Sequence, residues 1–145
     1  MGPTNPRNPG PPMAANADNP GAALADLRIL IVEDIGLIAQ QLRRQLEDQG
    51  CRIAGVVGRL DDAIALAQSV EIDGALLDLN LSGRESYPVA DILRARDIPF
   101  IFLSGYDSGY LRAEYAAAPH LQKPYTSDVL RSLLITTFVP RLSSE

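Results

Sequence analysis

The sequence predicts an α/β protein in which a doubly wound, parallel five-stranded sheet is covered by helices on both faces. Short apolar runs alternate along the chain with segments whose apolar residues recur at helical spacing. The runs are nearly continuous, as expected for parallel strands that are buried on both faces. Connections of this length between parallel strands require right-handed crossovers, which place helices on both faces of the sheet.

Five apolar segments are the predicted strands. They span residues 27–32, 52–57, 73–78, 99–103 and 120–122. The third is the segment around which the others are arranged, because its apolar residues lead directly into the carboxylate of Asp78.

Helices are predicted after the first, second, third and fifth strands. The first follows Asp34, the second opens near Asp61, the third has Pro88 in its first turn, and the last runs from Ser127 to about Phe138. Proline is tolerated in a first turn because its missing N–H has no partner there.

The segment between the fourth and fifth strands is the weakest repeat. Residues 107–118 include Gly109 and few large apolar side chains. Glycine costs about 1 kcal/mol relative to alanine inside a helix. We therefore expect a (βα)5 order in which the fourth helix is short and loosely held.

The ends of the chain differ from its middle. Residues 1–26 are rich in Pro, Gly and Asn, and such a segment buries too little apolar surface to offset its ordering entropy. We expect a disordered tail over 1–26, one domain over 27–140 and a short C-terminal tail over 141–145.

Composition excludes several classes of function. The net charge of −5 and the scattered Lys and Arg residues disfavour a nucleic-acid partner. No apolar run approaches the ~18–20 residues of a membrane span. The single cysteine fits a reducing cytosol, so a cytoplasmic location is expected.

Charged and polar residues stand where the predicted strands end. Glu33 and Asp34 follow the first strand, Asp78 ends the third, Ser104 follows the fourth and Lys123 follows the fifth. The carboxyl ends of parallel strands form one rim at which ligands bind, so these side chains are expected to converge. Each acid alone is compatible with a solvated strand-end charge, but the joint pattern favours a site.

Three converging carboxylates require compensation. Two unit charges ~4 Å apart repel by about 4 kcal/mol at an effective dielectric near 20. A cation in the pocket and the Lys123 ammonium would offset this repulsion, and carboxylates without His or Cys favour Mg²⁺. This combination suits phosphoryl transfer, with Asp78 as the nucleophile that becomes an acyl phosphate. Lys123 and the metal would stabilise the phosphoryl oxygens, and Ser104 would donate a hydrogen bond to one of them.

Four motifs resemble the receiver domain of bacterial two-component response regulators. They are Val32-Glu33-Asp34, Leu77-Asp78-Leu79-Asn80, Leu103-Ser104-Gly105 and Lys123-Pro124-Tyr125. The resemblance implies a flavodoxin-like fold, no organic cofactor, and phosphorylation of Asp78 by a sensor histidine kinase or phosphotransfer protein. It also implies Mg²⁺ held by Glu33, Asp34, Asp78 and the main-chain carbonyl of Asn80, with Ser104 and Lys123 in the family's usual positions.

Two departures from the family pattern mark candidates for the switch. His120 stands three residues before Lys123, where the family often has a Tyr or Phe that moves inward upon phosphorylation. Phe102-Leu103-Ser104-Gly105-Tyr106 is similar to the Phe-Ala-Thr-Gly-Tyr signature of a subgroup common in alphaproteobacteria, whose members are often stand-alone receivers. Tyr106 and His120 are therefore the switch candidates.

No output domain is expected after Phe138. The expected output is contact with a downstream protein partner or removal of phosphoryl groups from a kinase. The only catalysis expected is that of the chain's own phosphorylation and dephosphorylation, so it is not predicted to be an enzyme.

Two alternatives share this fold. A degenerate receiver would bind a partner without phosphorylation, although all the site positions hold competent residues. A nucleotide- or flavin-binding protein would need a glycine-rich loop after the first strand. Asp34-Ile35-Gly36-Leu37 instead has one glycine beside acids that repel phosphate. The leading hypothesis is a stand-alone phosphoryl-accepting signalling module.

Overall fold

The computed structural model describes residues 23–105 and 111–143, with side chains up to residue 139. Its α/β architecture confirms the predicted fold. In chain order the elements are β1 (Arg28–Val32), α1 (Gly36–Asp48), β2 (Arg52–Val57), α2 (Leu60–Ser69), β3 (Gly74–Asp78), β4 (Asn80–Leu81), β5 (Arg84–Glu85), α3 (Tyr87–Ala95), β6 (Phe100–Ser104), a 3₁₀ turn (Ala113–Tyr115), β7 (His120–Gln122) and α4 (Ser127–Ser143).

The main sheet has five parallel strands in the order β2-β1-β3-β6-β7. Strand β3 lies in the middle and every one of its residues is buried, as its continuous apolar run predicted. In the parallel register Val32 pairs with Leu77, and Leu103 pairs with Asp78. Glu33, the residue after β1, therefore lies level with Asp78, and the two strands deliver their carboxylates to the same place.

Two apolar clusters, one on each face of the sheet, hold the layers together. Helices α1 and α4 pack on one face through Leu42, Leu46 and Phe138. Helices α2 and α3 pack on the other face. Close approach of α4 to the sheet requires a glycine at the start of β3, because a Cβ at Gly74 would lie 2.7 Å from the Phe138 ring.

The part of the β6–β7 connection that the structure describes is short in helix and is anchored by one buried side chain. Within the described residues 111–119, only Ala113–Tyr115 form a 3₁₀ turn, which confirms the short fourth helix. One residue of this turn is firmly packed, because Tyr115 is only 1% exposed. Its ring lies 5.5 Å from the ring of Phe102 and 5.9 Å from that of Phe100. A single large ring supplies the packing that this segment's few other apolar side chains do not.

The predicted domain boundaries need correction at both ends. Leu24 is fully buried and packs with the α1–α4 cluster, and the backbone N–H of Asp26 donates to the carbonyl of Gly50 at 2.8 Å. The folded part thus begins before residue 27, because one apolar side chain docks. Disorder over 1–22, outside the described residues, stays a prediction. Helix α4 continues to Ser143, beyond the expected end near Phe138. Pro140 lies within this helix, and a proline removes one backbone hydrogen bond without always ending a helix.

The predicted loop after β3 contains a small antiparallel ribbon. Strands β4 and β5 pair across a turn at Ser82 and Gly83, whose φ angles are 53° and 90°. Positive φ at both central residues is the geometry of a tight hairpin turn. The ribbon places polar groups beside the end of β3.

No helix in the described part of the chain is both long and apolar enough to cross a membrane.

Candidate functional site

Three carboxylates meet at the ends of β1 and β3. Glu33, Asp34 and Asp78 each offer an oxygen, and these oxygens all lie within 4.8 Å of one another. Glu33 and Asp78 are buried, whereas Asp34 is half-buried. The structure therefore brings together the three acids that the sequence analysis placed on one rim.

The ammonium of Lys123 lies against two of these acids. Its Nζ donates to Oε1 of Glu33 at 2.7 Å and to Oδ2 of Asp78 at 3.2 Å. Burial alone would lower the pKa of Lys123, but the hydrogen bond to Glu33 and the charges of Asp78 and Glu33 outweigh it and raise the pKa. Lys123 therefore stays positively charged in the site.

One ammonium does not balance three carboxylates. Burial, followed by the hydrogen bond shared with Asp78, raises the pKa of Glu33 to about 7. Lys123 and the N–H of Ile35, which donates to Oε2 of Glu33 at 3.1 Å, oppose this rise. The raised pKa reflects burial first and then the neighbouring Asp78 carboxylate, which the Lys123 ammonium offsets only in part.

The ribbon after β3 supports the acid cluster through hydrogen bonds that the sequence analysis missed. The hydroxyl of Ser82 donates to Oδ2 of Asp34 at 2.7 Å. The N–H of Asn80 donates to Oδ1 of Asp78 at 3.2 Å, and the Asn80 side-chain oxygen accepts from the N–H of Gly83 at 2.7 Å. In the sequence, the Ser82-Gly83 pair was the feature from which this turn could have been predicted. A metal-binding role for the Asn80 carbonyl stays a prediction.

Ser104, the last residue of β6, and His120, the first residue of β7, form a separate pair. Ser104 is 2% exposed, and its hydroxyl is hydrogen-bonded to Nε2 of His120. His120 thus contacts Ser104 and is not one of the residues in the acid cluster. The other switch candidate, Tyr106, lies outside the described residues.

The acid cluster fits a small, hard cation. Mg²⁺ holds its oxygen ligands at about 2.1 Å in an octahedron, so that neighbouring and opposite ligands lie roughly 3–4 Å apart. The oxygens of Glu33, Asp34 and Asp78 approach this spacing, and all three ligands are carboxylates. Asp34, the half-buried member of the set, has the most freedom of the three to adjust around an ion.

The fold and the acid cluster are those of a known family of signalling domains. The model of the response regulator receiver domain matches residues 29–135, and the chain belongs to this family. Receiver domains are signalling modules of two-component systems.

Three individual proteins illustrate what this chain is similar to. The chain is similar to SdrG from Sphingomonas melonis Fr1, whose solution structure is 42% identical with a TM-score of 0.69 and is matched over 77% of this chain and 94% of that one. It is similar to the transcriptional regulatory protein PdtaR of Mycobacterium tuberculosis, at 31% identity over 73% of this chain and 54% of the relative. The phyllosphere-induced regulator PhyR of Methylorubrum extorquens is 33% identical over 59% of this chain and 33% of its own length. The chain thus spans about half of PdtaR and less of PhyR.

Proposed function

We propose that this chain is a single-domain response regulator that accepts a phosphoryl group on Asp78. The donor is a sensor histidine kinase or a phosphotransfer protein. The proposal rests on family membership and on one observation, the convergence of Glu33, Asp34, Asp78 and Lys123 at the rim. A receiver that bound partners without phosphorylation would have no need of this costly cluster of like charges.

The chemistry follows from the positions of the side chains. A carboxylate oxygen of Asp78 forms the new bond to phosphorus, while the bond from phosphorus to the donor imidazole nitrogen breaks and the nitrogen keeps the electron pair. Mg²⁺ bound by the acids would neutralise charge on the phosphoryl oxygens. Lys123, already 3.2 Å from Asp78, supplies a second positive charge, and Ser104 at the end of β6 supplies a hydrogen-bond donor.

An apolar surface beside the rim suits the donor protein. Ile35 and Leu37, next to Asp34 at the start of α1, are 51% and 77% exposed. A cavity of about 450 Å³ lies at the same rim, with Ile38, Lys123 and Tyr125 in its walls. Exposed apolar groups next to a reactive centre support a docking role, because a donor must hold its phosphohistidine against Asp78.

The output is proposed to be protein contact or removal of phosphoryl groups from a kinase. In this proposal the chain acts in the cytoplasm and catalyses only its own phosphorylation and dephosphorylation. It uses neither a nucleic acid nor a membrane as a partner.

The test is phosphorylation by acetyl phosphate with Mg²⁺, followed by mass spectrometry of the intact chain. Wild type is expected to gain one phosphoryl group, which EDTA prevents. Asp78→Asn is expected to gain none. Asp48→Asn, an exposed acid in α1, is the matched control and should be labelled like wild type. Labelling of Asp78→Asn equal to that of wild type would contradict the proposal.

A further inference from the structure

The hydrogen bond between Ser104 and His120 follows from the register of the sheet edge. Phe102 pairs with His120, and Ser104 pairs with Gln122, in parallel strands. Side chains two residues apart point to the same face of a strand, so His120 is the diagonal neighbour of Ser104 on one face. The Ser104 hydroxyl is buried, while His120 is exposed and can exchange protons with water.

A serine hydroxyl has only one hydrogen to donate. When Nε2 of His120 carries no hydrogen, it accepts that of Ser104, which then points toward the imidazole. When Nε2 carries a hydrogen, it donates to Oγ of Ser104, and the hydroxyl hydrogen is free to point elsewhere. The protonation of one nitrogen therefore decides which way the Ser104 hydroxyl donates.

We infer that His120 is a positioning residue for Ser104 and that an acyl phosphate on Asp78 selects the Nε2-protonated form of its ring. The inference rests on the proposed function. A phosphoryl oxygen that accepts from Ser104 needs the hydroxyl hydrogen, and only the Nε2-protonated ring leaves it available while retaining its own bond to Oγ. The phosphoryl group and the proton on Nε2 thus favour each other reciprocally.

The surroundings allow the ring to change its protonation. Nε2 acquires its hydrogen by exchange between tautomers through water or by uptake of a proton. Asp128 of α4 lines the same surface groove as His120 and is the charged side chain that this helix contributes to the groove. The Lys123 ammonium is directed to Glu33 and Asp78 and faces the acid cluster.

The sole histidine of the chain makes this testable by nitrogen NMR of the imidazole. The full chain is compared with and without Mg²⁺ and beryllofluoride, a mimic of the phosphoryl group. In wild type the Nε2 signal is expected to move toward the value of a protonated nitrogen upon addition of beryllofluoride. Ser104→Ala should shift the Nε2 signal of the free protein and abolish its response, while backbone amides near Asp78 still respond.

A binding measurement supplies the second arm. His120→Phe keeps a ring but has no nitrogen, and it should bind beryllofluoride at least five-fold more weakly than wild type, the lower end of typical coupling between sites. His120→Gln, which keeps an N–H donor, should retain more affinity than His120→Phe. Amide spectra check that each variant is folded.

The outcomes separate the two proposals. Imidazole nitrogens that do not respond while the amides around Asp78 do, or His120→Phe that binds as tightly as wild type, would overturn this inference alone. Beryllofluoride that causes no change around Asp78 would overturn the proposed function and this inference with it.

Discussion

Two regions of the molecule are stabilised by different forces, an acidic side at the ends of β1 and β3 and an aromatic side on the face of the sheet that α2 and α3 cover. The acidic side consists of Glu33, Asp34, Asp78 and Lys123, and the aromatic side consists of Tyr87, Phe100, Phe102 and Tyr115. On the acidic side like charges are held together against their repulsion. On the aromatic side rings pack at centroid distances of 5.3 to 5.9 Å.

The aromatic side is also held at its edges by polar contacts. The hydroxyl of Tyr115 donates to Asp91 at 2.5 Å, and burial, followed by this carboxylate, raises the pKa of Tyr115 to about 12. The guanidinium of Arg94 lies 3.9 Å from the centre of the same ring, and that of Arg112 lies 4.3 Å from the ring of Tyr87. These contacts hold the last residue of the 3₁₀ turn, Tyr115, and the residue before the turn, Arg112.

Because the two sides are held by different forces, Mg²⁺ should stabilise only the acidic side. Packing on the aromatic side is complete without any bound group, so its contribution to folding should not depend on Mg²⁺. The acidic side has more negative than positive charge and gains from each added cation. Stability measurements with and without the ion therefore distinguish the two sides.

The largest expected effect is on the aromatic side. Tyr115→Ala should lower the free energy of unfolding by about 3–5 kcal/mol, as for other large buried aromatic residues, because it leaves a cavity among three rings. Urea denaturation measures the loss. Tyr115→Phe, the matched control, loses only the hydrogen bond to Asp91 and should cost about 1 kcal/mol. A Tyr115→Ala variant within 1 kcal/mol of wild type would show that the aromatic side is not an anchor.

The next effect is the response to Mg²⁺. An ion bound only by the folded state should stabilise wild type by about 2.7 kcal/mol at a concentration of 100 Kd. Asp34→Asn should lose most of this gain and should be no less stable than wild type in EDTA, because it relieves repulsion in the cluster. Asp48→Asn should respond like wild type, as should Tyr115→Phe. Equal gains in wild type and Asp34→Asn would exclude Asp34 as a ligand.

The acidic side could be predicted from the sequence, and most of the aromatic side could not. Continuous apolar runs define buried parallel strands, and the geometry of such a sheet brings Glu33 and Asp78 to one rim. The packing of residues 107–118 was judged from how few apolar side chains it has, which underestimates one large ring. The burial of Tyr115 against strand β6 depends on tertiary packing that periodicity does not express.

Two hydrogen bonds and the burial of Leu24 could not be predicted from the sequence. The bond from Ser82 to Asp34 depends on positive φ angles at a turn that was expected to be an irregular loop. The bond from Ser104 to His120 depends on the register of a three-residue edge strand, and a shift by one residue would turn His120 to the opposite face. Leu24 was assigned to the tail because an isolated apolar residue shows no period.

The smallest effect tests whether the Lys123 ammonium already acts as a partial counter-ion. Lys123→Met keeps most of the unbranched side chain but removes the ammonium that bridges Glu33 and Asp78. In EDTA it should lower the free energy of unfolding by about 2 kcal/mol, within the range for hydrogen bonds to charged groups. Uptake of a proton by Glu33, whose pKa is already raised, limits the cost.

Added Mg²⁺ should stabilise Lys123→Met more than it stabilises wild type. The ammonium and the ion compete for the same carboxylate oxygens, so Lys123→Met should bind Mg²⁺ more tightly than wild type and gain more stability from it. Arg43→Met, which removes a surface ion pair with Glu47, is the control and should cost roughly 0.5 kcal/mol with an unchanged Mg²⁺ response. Titration of both variants with Mg²⁺, followed by urea denaturation, makes the comparison. If Lys123→Met gained no more from Mg²⁺ than Arg43→Met did, the ammonium would not be compensating the acidic side.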